Sequence, residues 1–235
     1  MSLPKINQPL YRLTIPSTGE EIRFRSFLVK EEKILVMAME SGDPADIADA
    51  ITQVINNCIV TEGIDVEKLA SFDIEWIFLN LRVRSVSDVI DLNKKCSECD
   101  EKFEFQINLN EVKPPETPTT DTKVEITDEV GVILKYPSLS TMAQASVSEG
   151  DIDSAFGVVA SCIDSIYDAD KVYNSRDHSK EELVEWVLDL SKSAFEKIEG
   201  FFDSIPVVKH ETEVTCIKCQ APNSIVLEGL NDFLD

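Results

Sequence analysis

The chain has 235 residues, 43% of them hydrophobic and 28% charged, which suffices for one domain with a sizeable core or for two small ones. Asp and Glu number 44 against 22 Lys and Arg, a formal net charge of -22, so the attraction that drives binding to nucleic acid or anionic membrane has the wrong sign. No apolar run reaches the roughly 20 residues that span a bilayer, and Met1 to Gln8 lack the apolar stretch of a secretory signal, so a reducing cytosol is the expected compartment.

The opening reads as β. Leu10, Leu13 and Ile15 mark one extended run, Pro16 to Gly19 a turn, and Ile22, Phe24 and Ser26 a second run, together a hairpin. Helical spacing follows over Lys30 to Glu40, with Ile34, Leu35, Met37 and Ala38 available for a buried face. Ser41 to Pro44 stops that helix, and Asp43-Pro44 opens the next, which runs to Cys58. A third begins at Ser71, with Ile74, Phe78 and Leu81 on one stripe and Trp76 beside it. Strand character returns from Val86 to Leu92. Beyond a first cysteine turn, Phe103, Phe105, Ile107 and Leu109 alternate with polar residues as one face of a strand. Lys113 to Asp121 holds three prolines among polar residues and reads as a linker.

The second half restarts with strands at Val124 to Ile126 and Gly131 to Tyr136, broken by Pro137. Helices are expected near Leu139–Ser148 and over Ile152–Ile166, then a polar loop from Tyr167 to His178. Ser179 and Glu182 have capping-box spacing, with Leu183, Val187 and Leu190 facing inward. A further helix covers Ser193 to Phe202, and Pro206 ends it. Val207 to Thr215 is extended into a second cysteine turn, and Ile225 and Leu227 mark the strand after it.

Four cysteines carry the chemistry: Cys96-Ser97-Glu98-Cys99 and Cys216-Ile217-Lys218-Cys219. A structural zinc site takes four soft ligands in a tetrahedron, and each C-x-x-C turn at a hairpin tip supplies two. The layout around both turns is alike: extended run, C-x-x-C, polar residues, extended run. A four-thiolate site has no open position for water, which makes it structural rather than hydrolytic. Iron in place of zinc, free thiols and a local disulfide in each pair stay open on spacing alone. A thioredoxin-like role lacks its βαβ setting. Cys58 and Cys162 lie on apolar patterns and read as small buried hydrophobes. His178 and His210 belong to no visible constellation, and no phosphate loop or nucleophile elbow is present. Trp76, Trp186, Phe201 and Phe202 fit helix faces. Glu228 to Asp235 fits either a docking tail or a frayed end.

Several segments carry a resemblance: LPKINQPLY (3–11), IPSTG (15–19), FRSFLVKEEKIL (24–35), MESG (39–42), FDIEWIFLNLR (72–82) and RSV (84–86). They are similar to the baseplate hub proteins of T-even-type contractile-tailed phages, clearly over about residues 3–110 and more loosely beyond. The resemblance implies a late-expressed phage protein of the tail baseplate hub, made in the host cytoplasm and then part of the virion. Its expected partners are other hub and spike proteins. It brings no catalytic residue to this chain.

The expected fold is α+β: an N-terminal β-hairpin with helical regions, and two C-x-x-C hairpins forming a split zinc-ribbon-like unit. The expected divisions are 1–112, ending in the first knuckle; 113–122, the linker; 123–205, mainly helical; and 206–235, the second knuckle and acidic tail, packed back on 86–109. The expected function is a non-enzymatic structural component of the hub. It binds one structural zinc through Cys96, Cys99, Cys216 and Cys219, with no nucleic-acid partner and no membrane span. A homo-oligomer within a symmetric baseplate is compatible with this. The alternatives are a transient hub assembly factor and, lower, a zinc-ribbon regulator that binds nucleic acid.

Overall fold

A computed structural model describes residues 6–118, 122–147 and 152–233. The end of the proline linker (119–121), the start of the LPKINQPLY segment and the last two tail residues lie outside the described residues. Strands β1 (Leu10–Thr14) and β2 (Glu21–Arg25) pair antiparallel as the expected hairpin. Three helices follow: α1 (Val29–Ser41), α2 (Pro44–Cys58) and α3 (Ser71–Ser85). Gly42, at φ 68°, closes α1 in the left-handed conformation, a position that suits glycine. The Asp43 carboxylate caps α2 by accepting from the Ala45 N–H at 2.8 Å, with Pro44 in the first turn. Ile22 and Phe24 from the hairpin, Ile51, Val54 and Ile55 from α2, and Ile74, Ile77 and Leu81 from α3 close the first core.

Strands β3 (Val89–Lys95) and β4 (Lys102–Asn108) make the second hairpin. Next comes an antiparallel sheet of β5 (Lys123–Glu125), β6 (Gly131–Leu134), β7 (Ile163–Tyr167) and β8 (Val172–Asn174), in that order. Helices α4 (Leu139–Val147) and α5 (Ile152–Ser161) lie between β6 and β7 in the chain. After β8 come α6 (Lys180–Leu188) and α7 (Lys192–Asp203). Val132, Leu134, Ile163, Leu183, Val187, Ile198 and Phe201 form a second core beneath this sheet. The last hairpin is β9 (Lys209–Thr215) with β10 (Pro222–Glu228).

The two cores touch. The Ser71 N–H donates to the Pro137 carbonyl at 2.9 Å. Tyr136 meets Phe72 edge-on at 5.4 Å and stacks on Phe201 at 5.3 Å. The capping box at α6 is present: Ser179 Oγ accepts from the Glu182 N–H, and the Glu182 carboxylate accepts from the Ser179 N–H at 2.8 Å.

Four local expectations need correction. The helix expected to reach Ile166 stops at Ser161, and residues 163–167 are strand β7. Ile163 and Ser165 point inward there, and Ile166 pairs with Val132 of β6. A short apolar run fits either period, and the free edge of β6 decides it. The polar loop from Tyr167 to His178 contains β8 and a 3-10 turn at Ser175–Asp177. Val86 is not strand: α3 runs through Ser85, and Val86 caps it, 63% exposed. Met37, expected on the inner face of α1, is 60% exposed.

Candidate metal centre

Strands β3 and β4 converge on Cys96 and Cys99, and β9 and β10 converge on Cys216 and Cys219. The two hairpins superpose in sequence at one constant offset. Subtracting 96 from 216 gives 120, and the same 120 carries Val89–Lys95 onto Lys209–Thr215 and Lys102–Asn108 onto Pro222–Glu228. Both turns are built alike. The Cys96 N–H donates to the Glu101 carbonyl at 2.8 Å, and the Cys216 N–H to the Ala221 carbonyl at 2.9 Å. The residue after each second cysteine takes the left-handed conformation, Asp100 at φ 59° and Gln220 at φ 62°. Ile90 and Ile107 from one hairpin and Ile225 and Leu227 from the other share a third core with Leu79 and Val208. The hairpins therefore pack face to face, and their tips meet.

The sulfurs meet with them. Cys96 Sγ lies 3.6 Å from Cys219 Sγ, and Cys99 Sγ lies 3.7 Å from Cys216 Sγ. All four ligand atoms fall within 4.8 Å of one another. A tetrahedron with Zn–S bonds of about 2.3 Å has S···S edges of about 3.8 Å, so the four cysteines could hold such an ion. Disulfides, at about 2.05 Å, are not formed: all four cysteines are free.

The surroundings favour thiolate at Cys96. The Glu98 amide, the Cys99 amide and the Asn223 side chain outweigh burial and pull this thiol down to about 6. At Cys99 the Glu101 amide acts the same way, yet burial and the three neighbouring sulfurs push the thiol up to about 12. Four crowded sulfurs cannot all ionise without a cation among them. Binding a metal there would release protons.

Asn223 is the residue that spacing alone does not find. Its Nδ2 lies 3.6 Å from Cys96 Sγ as donor, and its Oδ1 accepts from the Ser97 N–H at 3.1 Å. It thus ties the tip of one hairpin to the other. The 120-residue offset puts Asn223 opposite Phe103 in the first hairpin. A buried amide where the twin holds a phenyl ring is the signal that could have exposed it. Lys218 and Glu101 add an ion pair of 2.6 Å across the tips. Asn223→Ala is expected to weaken metal binding about 10- to 100-fold, as loss of a ligand's hydrogen-bond partner commonly does. Competition with a chromophoric chelator measures this, and an unchanged affinity would reduce Asn223 to packing.

The remaining candidates stand apart from the centre. Cys58 and Cys162 are buried, and burial pushes each thiol up to about 11. His210 pairs across the last hairpin with Leu227. His178 lies 3.7 Å from Glu182. Phe201 is buried, while Trp76, Trp186 and Phe202 are partly buried against the cores.

Residues 8–235 match the family described as T4 bacteriophage base plate protein. No curated protein and no solved structure matches the chain.

Proposed function

Because the chain belongs to the T4 bacteriophage base plate protein family, we propose that it is a non-enzymatic structural component of the tail baseplate hub. Family membership itself supports the coarser reading, a structural baseplate component that contacts other phage proteins in the virion tail. The hub reading rests on the segments of residues 3–110 and on the surface those segments form.

That surface is the observation that carries the proposal. Helix α1 carries apolar side chains on its exposed side as well as its buried one, among Lys30, Glu32, Lys33 and Glu40. Ile34 and Leu35 pack on the first core, while Leu28, Val29, Val36, Met37 and Met39 are exposed, with Val86 close by at the end of α3. Val29, Val36 and Met39 recur at helical spacing and share a face. A groove of about 220 Å³ runs beside them, lined by Phe27, Leu35, Val36, Met39, Ile47 and Val86 among other apolar residues, with Glu32 and Arg82. On so acidic a chain, a cluster of exposed apolar side chains, interrupted on α1 by Glu32 and Lys33, marks a protein contact, and methionines adapt their shape to a neighbour.

In the same reading a single zinc at Cys96, Cys99, Cys216 and Cys219 is a fold element. It joins 86–109 to 206–235 as one split zinc-ribbon-like unit. No helix of the described residues is long and apolar enough to cross a membrane.

Tails purified from infected cells should contain the protein at fixed stoichiometry. A Val36→Asp/Met39→Asp variant should keep its melting temperature within a few degrees, because both side chains are exposed, and should fail to enter tails. Absence of the unaltered protein from finished tails, with hub assembly failing when it is deleted, would instead make it a transient assembly factor.

A further inference from the structure

A second feature lies on the other half of the chain and shares no residue with α1 or with the four-cysteine cluster. A pocket of about 300 Å³ opens between strands β7 and β8 and helix α6. Its walls are apolar: Ile166 from β7, and Leu183 and Trp186 from α6. Tyr167, Tyr173 and His178 add rings, and two carboxylates, Asp168 and Glu182, complete the lining. Among the described residues that line it, none is Lys or Arg.

We propose that this pocket receives an arginine side chain presented by a partner protein. Three observations select that occupant over an apolar one. Both carboxylates are held in place: Asp168 accepts from the Asp170 and Lys171 N–H groups and from Tyr173 Oη at 2.9 Å, and Glu182 is fixed by the α6 capping box. The Asp170 amide, the Tyr173 hydroxyl and the Lys171 amide keep Asp168 below its ordinary value, so it is charged at neutral pH. The rings already attract cations: Lys123 Nζ stands 5.0 Å from the Tyr167 ring centre and Lys171 Nζ 4.6 Å from that of Tyr173. Neither lysine lines the pocket.

Arginine suits this lining better than lysine. Its methylene stem can lie along Ile166 and Leu183 while the charged head stays at the mouth. Its planar guanidinium stacks on aromatic faces and forks its N–H groups to carboxylates, where an ammonium is a hydrated point charge. The net charge of -22 draws a basic partner in from a distance. This inference is independent of the hub reading, because the pocket and α1 share no residue.

The test is an NMR titration of the full-length protein with Nα-acetyl-arginine methylamide, read at the Trp186 indole N–H and the backbone amides of 166–186. Saturable shifts confined to that region are expected. The neutral isostere, Nα-acetyl-citrulline methylamide, should bind at least about ten-fold more weakly, and the lysine analogue should fall between the two. Glu182→Gln removes the charge but keeps a capping residue of the right shape, so it should fold normally and weaken arginine binding about three-fold or more. Equal binding of arginine and citrulline, an unchanged affinity in Glu182→Gln, or shifts scattered over the acidic surface would each overturn the proposal.

Discussion

Cys216→Ser should abolish tight zinc binding and lower the melting temperature by more than about 10 °C. Structural zinc sites contribute folding free energy outright, with apparent values of about 10–16 kcal/mol in isolated zinc peptides. This chain also has a third hydrophobic core to hold its hairpins together, so only part of that is at stake. A loss of about 4–5 kcal/mol already moves the midpoint of a domain this size by about 10–20 °C. Calorimetry with and without a strong chelator checks the cause. The chelator should lower the midpoint of the unaltered protein to that of the variant and leave the variant unmoved. Cys162→Ala is the matched control, since Cys162 is buried in the second half, away from the hairpin tips. It should lose only about 1–2 kcal/mol and keep its zinc.

Glu31→Ala should cost about 3–5 kcal/mol, the usual penalty for stranding one member of a buried ion pair. The Glu31 side chain is fully buried. Arg25 Nη2 reaches it at 3.0 Å, and the Leu28 N–H donates to it at 2.9 Å at the start of α1. Without it, the Arg25 guanidinium, only 17% exposed, keeps the Asn57 carbonyl as an acceptor at 2.9 Å and no counter-charge of equal burial. The effect depends on pH with a definite sign. Burial raises the Glu31 carboxyl, but Arg25, the Leu28 amide and Lys30 together outweigh it and hold the group below its ordinary value. Its stabilisation is therefore complete above the unfolded carboxyl value of about 4.3 and is lost as pH falls through the lower folded value. Urea unfolding at pH 7 should show the full difference between the two proteins. The difference should shrink steadily below pH 4.

Both residues show what a sequence can and cannot disclose. The cysteine turns are legible because each pair has the fixed C-x-x-C spacing of a hairpin tip, and strict alternation from Phe103 to Leu109 marks a strand. The kinship of the two hairpins is harder to see. They share the 120-residue offset and the whole register, yet across the aligned strands and turns only the cysteines are identical. Backbone pairing and inward alternation can be kept while every other side chain changes. Strand β7 was hidden by a different ambiguity, since its identity depends on the edge of β6, whose paired residues lie 29 to 36 positions earlier. Buried polar residues are the least legible of all. Glu31 looks like any acid in a first helical turn. Asp73 takes the Ser17 N–H at 2.9 Å and the Ser17 hydroxyl at 2.5 Å, partners 56 residues away that no local pattern announces. Met37 errs in the other direction: a helical stripe says which residues share a face, but not which apolar residues the core leaves exposed.

In the proposed reading, one metal held by Cys96, Cys99, Cys216 and Cys219 clasps the two halves of the chain. Metal analysis with X-ray absorption at the metal edge tests it most directly, on protein purified without chelators. About one zinc per chain, with four sulfur neighbours at about 2.3 Å and no oxygen or nitrogen ligand, is the predicted result. Metal-free protein that melts at the same temperature after chelation, or a zinc bound through only one of the two cysteine pairs, would contradict it.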